Sequence, residues 1–164
     1  MEMAGKSGKS MLAAGASAPS VQVRDLAGNA VSLQEMAAEG PVLLAFYKGS
    51  CPVCQYTLPF LDRAKDNGKV KIVCVSQDSA QDTGEFAAAF RLKMAMFTDE
   101  RSQGYPASNA FGISYVPTMF QLEPDGTVSH AWTGWSKADM QAFGERTGVT
   151  VIGAGEQVPA FRPG

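Results

Sequence analysis

Val42-Leu43-Leu44-Ala45-Phe46-Tyr47-Lys48-Gly49-Ser50-Cys51-Pro52-Val53-Cys54 is the stretch on which the fold of this chain turns. Val42 to Tyr47 is apolar or aromatic at every position, with none of the alternation of a half-exposed strand. Such a run suits a strand covered on both faces, as in a parallel sheet between helices. Val70 to Val75 has the same character. Between the two, apolar residues at Val53, Leu58, Leu61 and Ala64 predict a helix from Pro52 to about Asp66, stopped by Asn67-Gly68. Strand, helix, strand is the pattern of a crossover unit. Pro59 falls inside the helix, removes one backbone hydrogen bond and is expected to kink it.

The flanking segments extend this core. Val21 and Val23, then Val31 and Leu33, alternate with polar residues around Asp25–Asn29 and predict a hairpin. Ser32-Leu33-Gln34-Glu35 has the capping-box spacing, so a short helix should run to about Ala38 before Gly40-Pro41. A second helix is expected from Ala80 to about Leu92, a short strand at Met94–Phe97 and a short helix at Tyr105–Phe111. Pro117–Leu122 and Thr127–Trp132 flank the turn Glu123-Pro124-Asp125-Gly126 and read as another hairpin. Ser136 then opens a last helix to about Thr147. Residues 1–18 read as a flexible lead, residues 19–147 as one α/β domain, and residues 148–164 as an irregular tail.

Composition narrows the function. The chain has 164 residues, 45% hydrophobic and 18% charged, with a net charge of -2. That is enough for one well-filled core. Neither sign of charge is concentrated, which argues against nucleic acid or an acidic membrane surface as partner. No stretch reaches the about 20 apolar residues of a membrane span. Met11-Leu12-Ala13-Ala14 is broken by Gly15, too short for the apolar centre of a secretory signal, so a cytoplasmic location is expected. A periplasmic or exported location would require a signal segment beyond this sequence. Gly5-Lys6-Ser7-Gly8-Lys9-Ser10 resembles a phosphate loop only superficially, because Met3 stands where the motif needs Gly and no strand precedes it.

A structural zinc site usually takes two Cys pairs or a Cys pair with a His pair, and this chain has one Cys pair and one histidine, so no metal and no cofactor is expected. Cys51 and Cys54 instead form a lone Cys-x-x-Cys at a strand–helix junction, a spacing that lets a small disulfide ring close and reopen. Cys51 should stand at the helix start, with Pro52 in the first helical position. Free N–H groups and the positive end of the helix dipole then favour thiolate over thiol there. Cys54, one turn further in, should be shielded. The roles that follow are Cys51 attacking a substrate disulfide and Cys54 resolving the mixed disulfide.

Phe46-Tyr47-Lys48-Gly49-Ser50-Cys51-Pro52-Val53-Cys54, with Pro59 five positions on, resembles the active-site segment of the thioredoxin superfamily. Gly112-Ile113-Ser114-Tyr115-Val116-Pro117-Thr118 resembles that family's second signature, a strand opened by a cis-proline. The N-terminal hairpin and the helical insertion near Asp78–Phe97 are similar to the TlpA-like, or redoxin, branch related to AhpC/TSA proteins. The resemblance implies a three-layer α/β/α fold with a central mixed sheet, an N-terminal β-hairpin extension and a helical insertion after the second core strand. It implies a thiol–disulfide oxidoreductase acting on a protein or small-molecule disulfide, coupled to a further thiol redox partner. Pro117 is expected to face the Cys pair, with the Val116 backbone docking substrate. Pro52 and Tyr47 complete the expected substrate-binding set, Tyr47 by covering the Cys pair.

Two departures bear on that reading. Many thioredoxins carry a buried Asp at the position of Ala45, and Tyr47–Leu61 holds no acid at all. The Cys54 proton must then pass to water or to an acid from elsewhere. A peroxiredoxin is the nearest rival, but aligned on Phe46 its reactive Cys falls near Cys54, with Cys51 where it has Thr and Pro117 where it needs Arg. A redox-inactive binding protein on the same fold is the remaining alternative. Cys74, Met94, Met96, Trp132 and Trp135 read as packing residues, His130 as an edge-strand residue, Lys48 as solvated and Tyr115 as groove rim or packing.

Overall fold

The computed structural model describes residues 10–164, so Gly5–Lys9 of the phosphate-loop-like stretch lie outside the described residues. The expected hairpin forms from β1 (Gln22–Asp25) and β2 (Ala30–Ser32). Ser32 then caps α1 (Leu33–Ala38), its hydroxyl accepting from the Glu35 N–H at 3.1 Å. The central unit is β3 (Val42–Tyr47), α2 (Pro52–Asp62) and β4 (Lys71–Ser76), followed by α3 (Ala80–Ala89) and β5 (Ala95–Thr98). Then come α4 (Pro106–Phe111), the hairpin β6 (Thr118–Leu122) and β7 (Val128–Thr133), β8 (Trp135–Ser136), α5 (Lys137–Thr147) and β9 (Phe161–Arg162).

Seven strands make one mixed sheet in the order β2-β1-β5-β4-β3-β6-β7. β3, β4 and β5 run parallel, whereas β6 lies antiparallel to β3. Both runs read as doubly buried strands are central, and each divides its side chains between two cores. Leu43, Ala45 and Tyr47 face Leu58 and Leu61 of α2 and Met140 and Phe143 of α5. Val42, Leu44 and Phe46 face Leu33 and Ala37 of α1 and Phe111 of α4. Helices thus cover both faces, and the period-2 alternation hidden in an all-apolar run decides which core each residue enters.

Two helices end earlier than their sequences suggest. α2 stops at Asp62, and the N–H groups of Arg63, Ala64 and Lys65 tighten onto the carbonyls three residues back. The Asp62 carboxylate accepts from the N–H groups of Lys93 and Met94, tying the helix end to the entry of β5. α3 stops at Ala89 because Arg91 adopts a left-handed conformation with φ 56° and Leu92 turns back to bond Ala87.

The segments flanking the α/β body are docked on it. Where a flexible lead was expected, Leu12 donates to Phe111 O at the end of α4, and Gly15 to Val128 O and Ala18 to Gly126 O, so residues 15–18 lie along the β6–β7 hairpin. The stretch 148–164 is irregular apart from β9, yet it is held at several points. β9 pairs antiparallel with β8, and Arg63 makes a two-pronged ion pair with Glu156 at 2.7 and 2.9 Å.

Phe46, Phe111 and Phe120 pack on one another with ring centroids 4.9–6.0 Å apart, on the face away from the cysteines. Phe111→Ala should therefore cost about 3–5 kcal/mol of stability. Urea unfolding measures this, and a loss below about 1 kcal/mol would contradict the packing described.

Candidate active site

Parallel pairing of β3 with β4 sets Tyr47 opposite Ser76. The loops leaving both strands therefore meet at one edge of the sheet, where open α/β sheets present ligands. β3 runs into Lys48-Gly49-Ser50-Cys51, and this loop is held from two sides. The Asp78 carboxylate, beyond the end of β4, accepts from the Gly49 N–H at 2.8 Å, and the Gln55 side-chain amide donates to Gly49 O at 2.8 Å.

Cys51 is the N-cap of α2, with Pro52 in the first turn. Its sulfur accepts from the Cys54 N–H at 3.2 Å, satisfying one of the helix's free donors. The same sulfur lies 3.4 Å from Val116 O, to which its S–H donates. The Val116–Pro117 peptide bond is cis. Cys51, Cys54 and the Val116–Pro117 pair thus come together from segments far apart in sequence. Cys51 is partly exposed and Cys54 fully buried; both are free thiols.

Burial pushes the Cys54 thiol well above its ordinary pKa, helped by its hydrogen bond with Cys51; a backbone hydrogen bond at Lys48 opposes the shift. Negative charge on Cys51 and Asp78 adds smaller upward contributions. The inner sulfur therefore waits as a thiol at neutral pH.

Of the other expected residues, Pro52 is exposed beside Cys51, and with Val53, Tyr56, Pro159 and Arg162 it lines a mostly apolar cavity of about 390 Å³. Tyr47 lies elsewhere than expected. It is fully buried beneath the site, its ring packed on Phe86 and its hydroxyl donating to Met96 Sδ at 3.5 Å, so no face of it is open to a substrate. Its phenol is displaced upward by the same desolvation. Cys74 is fully buried against Met94 Sδ at 3.8 Å, and burial raises its thiol too. Tyr115 is exposed, and both tryptophans are packed inside.

Asp78 escaped the reading of the sequence. It is a carboxylate of the kind Tyr47–Leu61 lacks, brought to Gly49 by the loop after β4, and its only sequence signal is its position two residues past the end of that strand. Among the described residues no three His, Cys, Asp or Glu side chains gather as a metal-binding set, and no helix is long and apolar enough to cross a membrane.

A mixed sheet between two helical layers, with paired thiols at a strand–helix junction beside a cis-proline, defines a thioredoxin-like thiol–disulfide oxidoreductase. The chain belongs to the AhpC/TSA family, whose pattern matches residues 14–131. It is 27% identical over 131 residues to the thiol-disulfide oxidoreductase ResA of Halalkalibacterium halodurans, a match covering 77% of this chain and 72% of that protein. Among solved structures, the thioredoxin domain of the thiol-disulfide oxidoreductase BVU-2223 from Bacteroides vulgatus superposes with a TM-score of 0.68. That match has 24% identity and covers 82% of this chain and 97% of the other. Peroxidoxin BcpB from Mycobacterium tuberculosis superposes with a TM-score of 0.66 at 19% identity, covering 83% and 94%. These two structural likenesses bear on the fold alone.

The raised thiols and phenol give stability a definite pH slope. Unfolded, a cysteine loses its proton above about pH 8.5, whereas folded Cys54 and Cys74 keep theirs, so the native state binds more protons and stability falls as pH rises. The slope approaches about 1.4 kcal/mol per pH unit for each such group. Urea unfolding between pH 8 and 10 should show this loss, and more weakly in protein oxidised at Cys51–Cys54, where Cys54 no longer titrates. Stability independent of pH over that range would contradict the burial of these groups.

Proposed function

We propose that the protein exchanges electrons with disulfide-containing proteins or small molecules through the Cys51–Cys54 dithiol, with Cys51 as nucleophile and Cys54 as resolving thiol. The observation that carries this is the position of the Cys51 sulfur, at the start of α2 between the Cys54 N–H and Val116 O. In the reducing direction, the Cys51 thiolate attacks one sulfur of the substrate disulfide. A Cys51–substrate disulfide forms, and the other substrate sulfur leaves as a thiolate that takes up a proton. Cys54 then loses its proton and attacks Cys51 Sγ, giving the Cys51–Cys54 disulfide and freeing the second substrate thiol. Two electrons pass to the substrate, and a separate dithiol partner restores the pair by the reverse exchange.

Burial sets the order of these steps. Cys54 is inaccessible and protonated, so it does not compete for the incoming disulfide, yet its helix position sets it beside the Cys51 sulfur. Its proton needs an acceptor. Asp78, whose charge acts on Cys54 and whose carboxylate is fixed by the Gly49 N–H, suits that task. Docking falls to the Val116 backbone and to the face around Pro52 and Val53. Direct peroxide reduction at Cys54 has less support, because a buried, protonated thiol is a poor peroxide nucleophile.

Two sets of variants test this reading. Cys51→Ser should abolish reduction of insulin disulfides with the fold intact, and Cys54→Ser should accumulate a mixed disulfide at Cys51 detectable by mass spectrometry. Full activity in Cys51→Ser would overturn the assignment. Asp78→Asn retains an acceptor for the Gly49 N–H but not the base. It should slow release of the mixed disulfide on the order of 10²-fold, with its formation unchanged, in single-turnover kinetics. Equal release rates would remove Asp78 from the mechanism.

A further inference from the structure

The stretch 148–164 leaves α5 at Gly148, is anchored through the Arg63–Glu156 pair, and turns back toward the cysteines. From Pro159 onward it lies along the body, with β9 as an added strand. Trp135 Nε1 donates to Pro159 O at 2.7 Å and Lys137 N to Ala160 O at 2.9 Å. Phe161 then pairs with Ser136, and Arg162 with Trp135. The next residue on the body, Gly134, has φ +74° and no room for a side chain, since a Cβ there would overlap Arg162 O. Gly134 is itself joined to the cis-proline loop, its N–H donating to Pro117 O at 2.7 Å. Past it the chain reaches Val116: a Cβ placed on Gly164 would overlap the Val116 carbonyl.

That carbonyl is the one to which the Cys51 thiol donates. The chain's own backbone and the reactive sulfur therefore converge on the same oxygen. Pro159 and Arg162 also face Pro52 and Val53 across the apolar cavity, closing a second side of the approach. Phe161, by contrast, is 52% exposed, so the strand is held by its backbone rather than by burying its largest side chain. An element held by a few edge hydrogen bonds opens locally at much lower cost than a packed one.

We propose that residues 159–164 occupy the path along which a substrate polypeptide would lie past Val116, so that this strand must lift before Cys51 reacts with a protein disulfide. The inference rests on Cys51 being the reacting thiol. Docking is then a strand exchange: the incoming backbone replaces Phe161–Gly164 along Gly134–Ser136, and main-chain bonds lost by one are regained by the other. Small disulfides need no such groove and pass to the partly exposed sulfur directly. The groove thus favours substrates with an extended segment beside the disulfide over compact ones.

Gly164→Val in the full chain tests this, because the added side chain cannot share the space of the Val116 carbonyl. Alkylation of Cys51 by a bulky polyethylene-glycol maleimide and reduction of insulin should both accelerate at least about threefold, while alkylation by iodoacetamide and reduction of hydroxyethyl disulfide change less than twofold. A second measurement uses Cys54→Ser joined at Cys51 to a thionitrobenzoate-activated cysteine heptapeptide, with hydrogen exchange read at Phe161 and Arg162. Loss of amide protection there on loading supports displacement. Unchanged rates in Gly164→Val, or tail amides that stay protected beneath the bound peptide, would overturn it. Should the wild-type protein reduce no disulfide at all, the assignment of the Cys pair falls. The alkylation and exchange readouts still report on the tail in that case.

Discussion

One sulfur atom carries two obligations in this molecule. Cys51 Sγ takes the place of a capping oxygen at the start of α2, accepting from the Cys54 N–H, and it also faces Val116 O from the loop before β6. A helix start turns its free N–H groups toward whatever occupies the cap, and here the occupant is a sulfur that also donates to Val116 O. The rest of the fold meets the requirements of this arrangement. β3 must end where α2 begins, β6 must enter the sheet next to β3, and the loop between must keep its shape under exchange of bonds at sulfur. Asp78 and Gln55, gripping Gly49 from opposite sides, meet the last requirement.

The two cysteines differ through burial rather than through sequence. Each stands between one polar and one apolar neighbour, yet Cys51 retains solvent access while Cys54 faces the core among Leu58, Leu61 and Tyr47. Burial is the main difference between the two thiols, the hydrogen bond with Cys51 adds to it at Cys54, and no buried charge stands at the position of Ala45. Asp78 approaches Gly49 from beyond the end of β4, so the core beneath the cysteines stays apolar. Tyr47 helps keep it so, since its buried ring closes the space below the pair.

What could be read from the chain alone were features written in local order. The two apolar runs gave the central strands, Ser32 and Ser136 gave helix starts, and Cys51-Pro52 gave the N-cap of α2, because caps and doubly buried strands depend on neighbours in sequence. The errors came from bonds between distant residues. Asn67-Gly68 looked like the end of α2, but Asp62 ends it by accepting two N–H groups from the approach to β5. Tyr47 was placed over the site by analogy of position, whereas its strand direction sends it beneath. Asp78 lies 29 residues from its partner Gly49, and nothing near it in sequence announces the contact. The Gly- and Pro-rich composition of residues 148–164 carries no sign of the backbone edge at Trp135–Ser136 that holds them.

The central claim is that Cys51 and Cys54 form one reversible two-electron couple while Cys74 stands apart. Equilibration in graded glutathione buffers, followed by acid quenching, alkylation and peptide mapping, tests it most directly. The account predicts a single transition in which the Cys51–Cys54 peptide loses two hydrogens and Cys74 stays reduced throughout. Cys51 and Cys54 remaining as separate free thiols under the most oxidising buffer, or a disulfide involving Cys74, would contradict it.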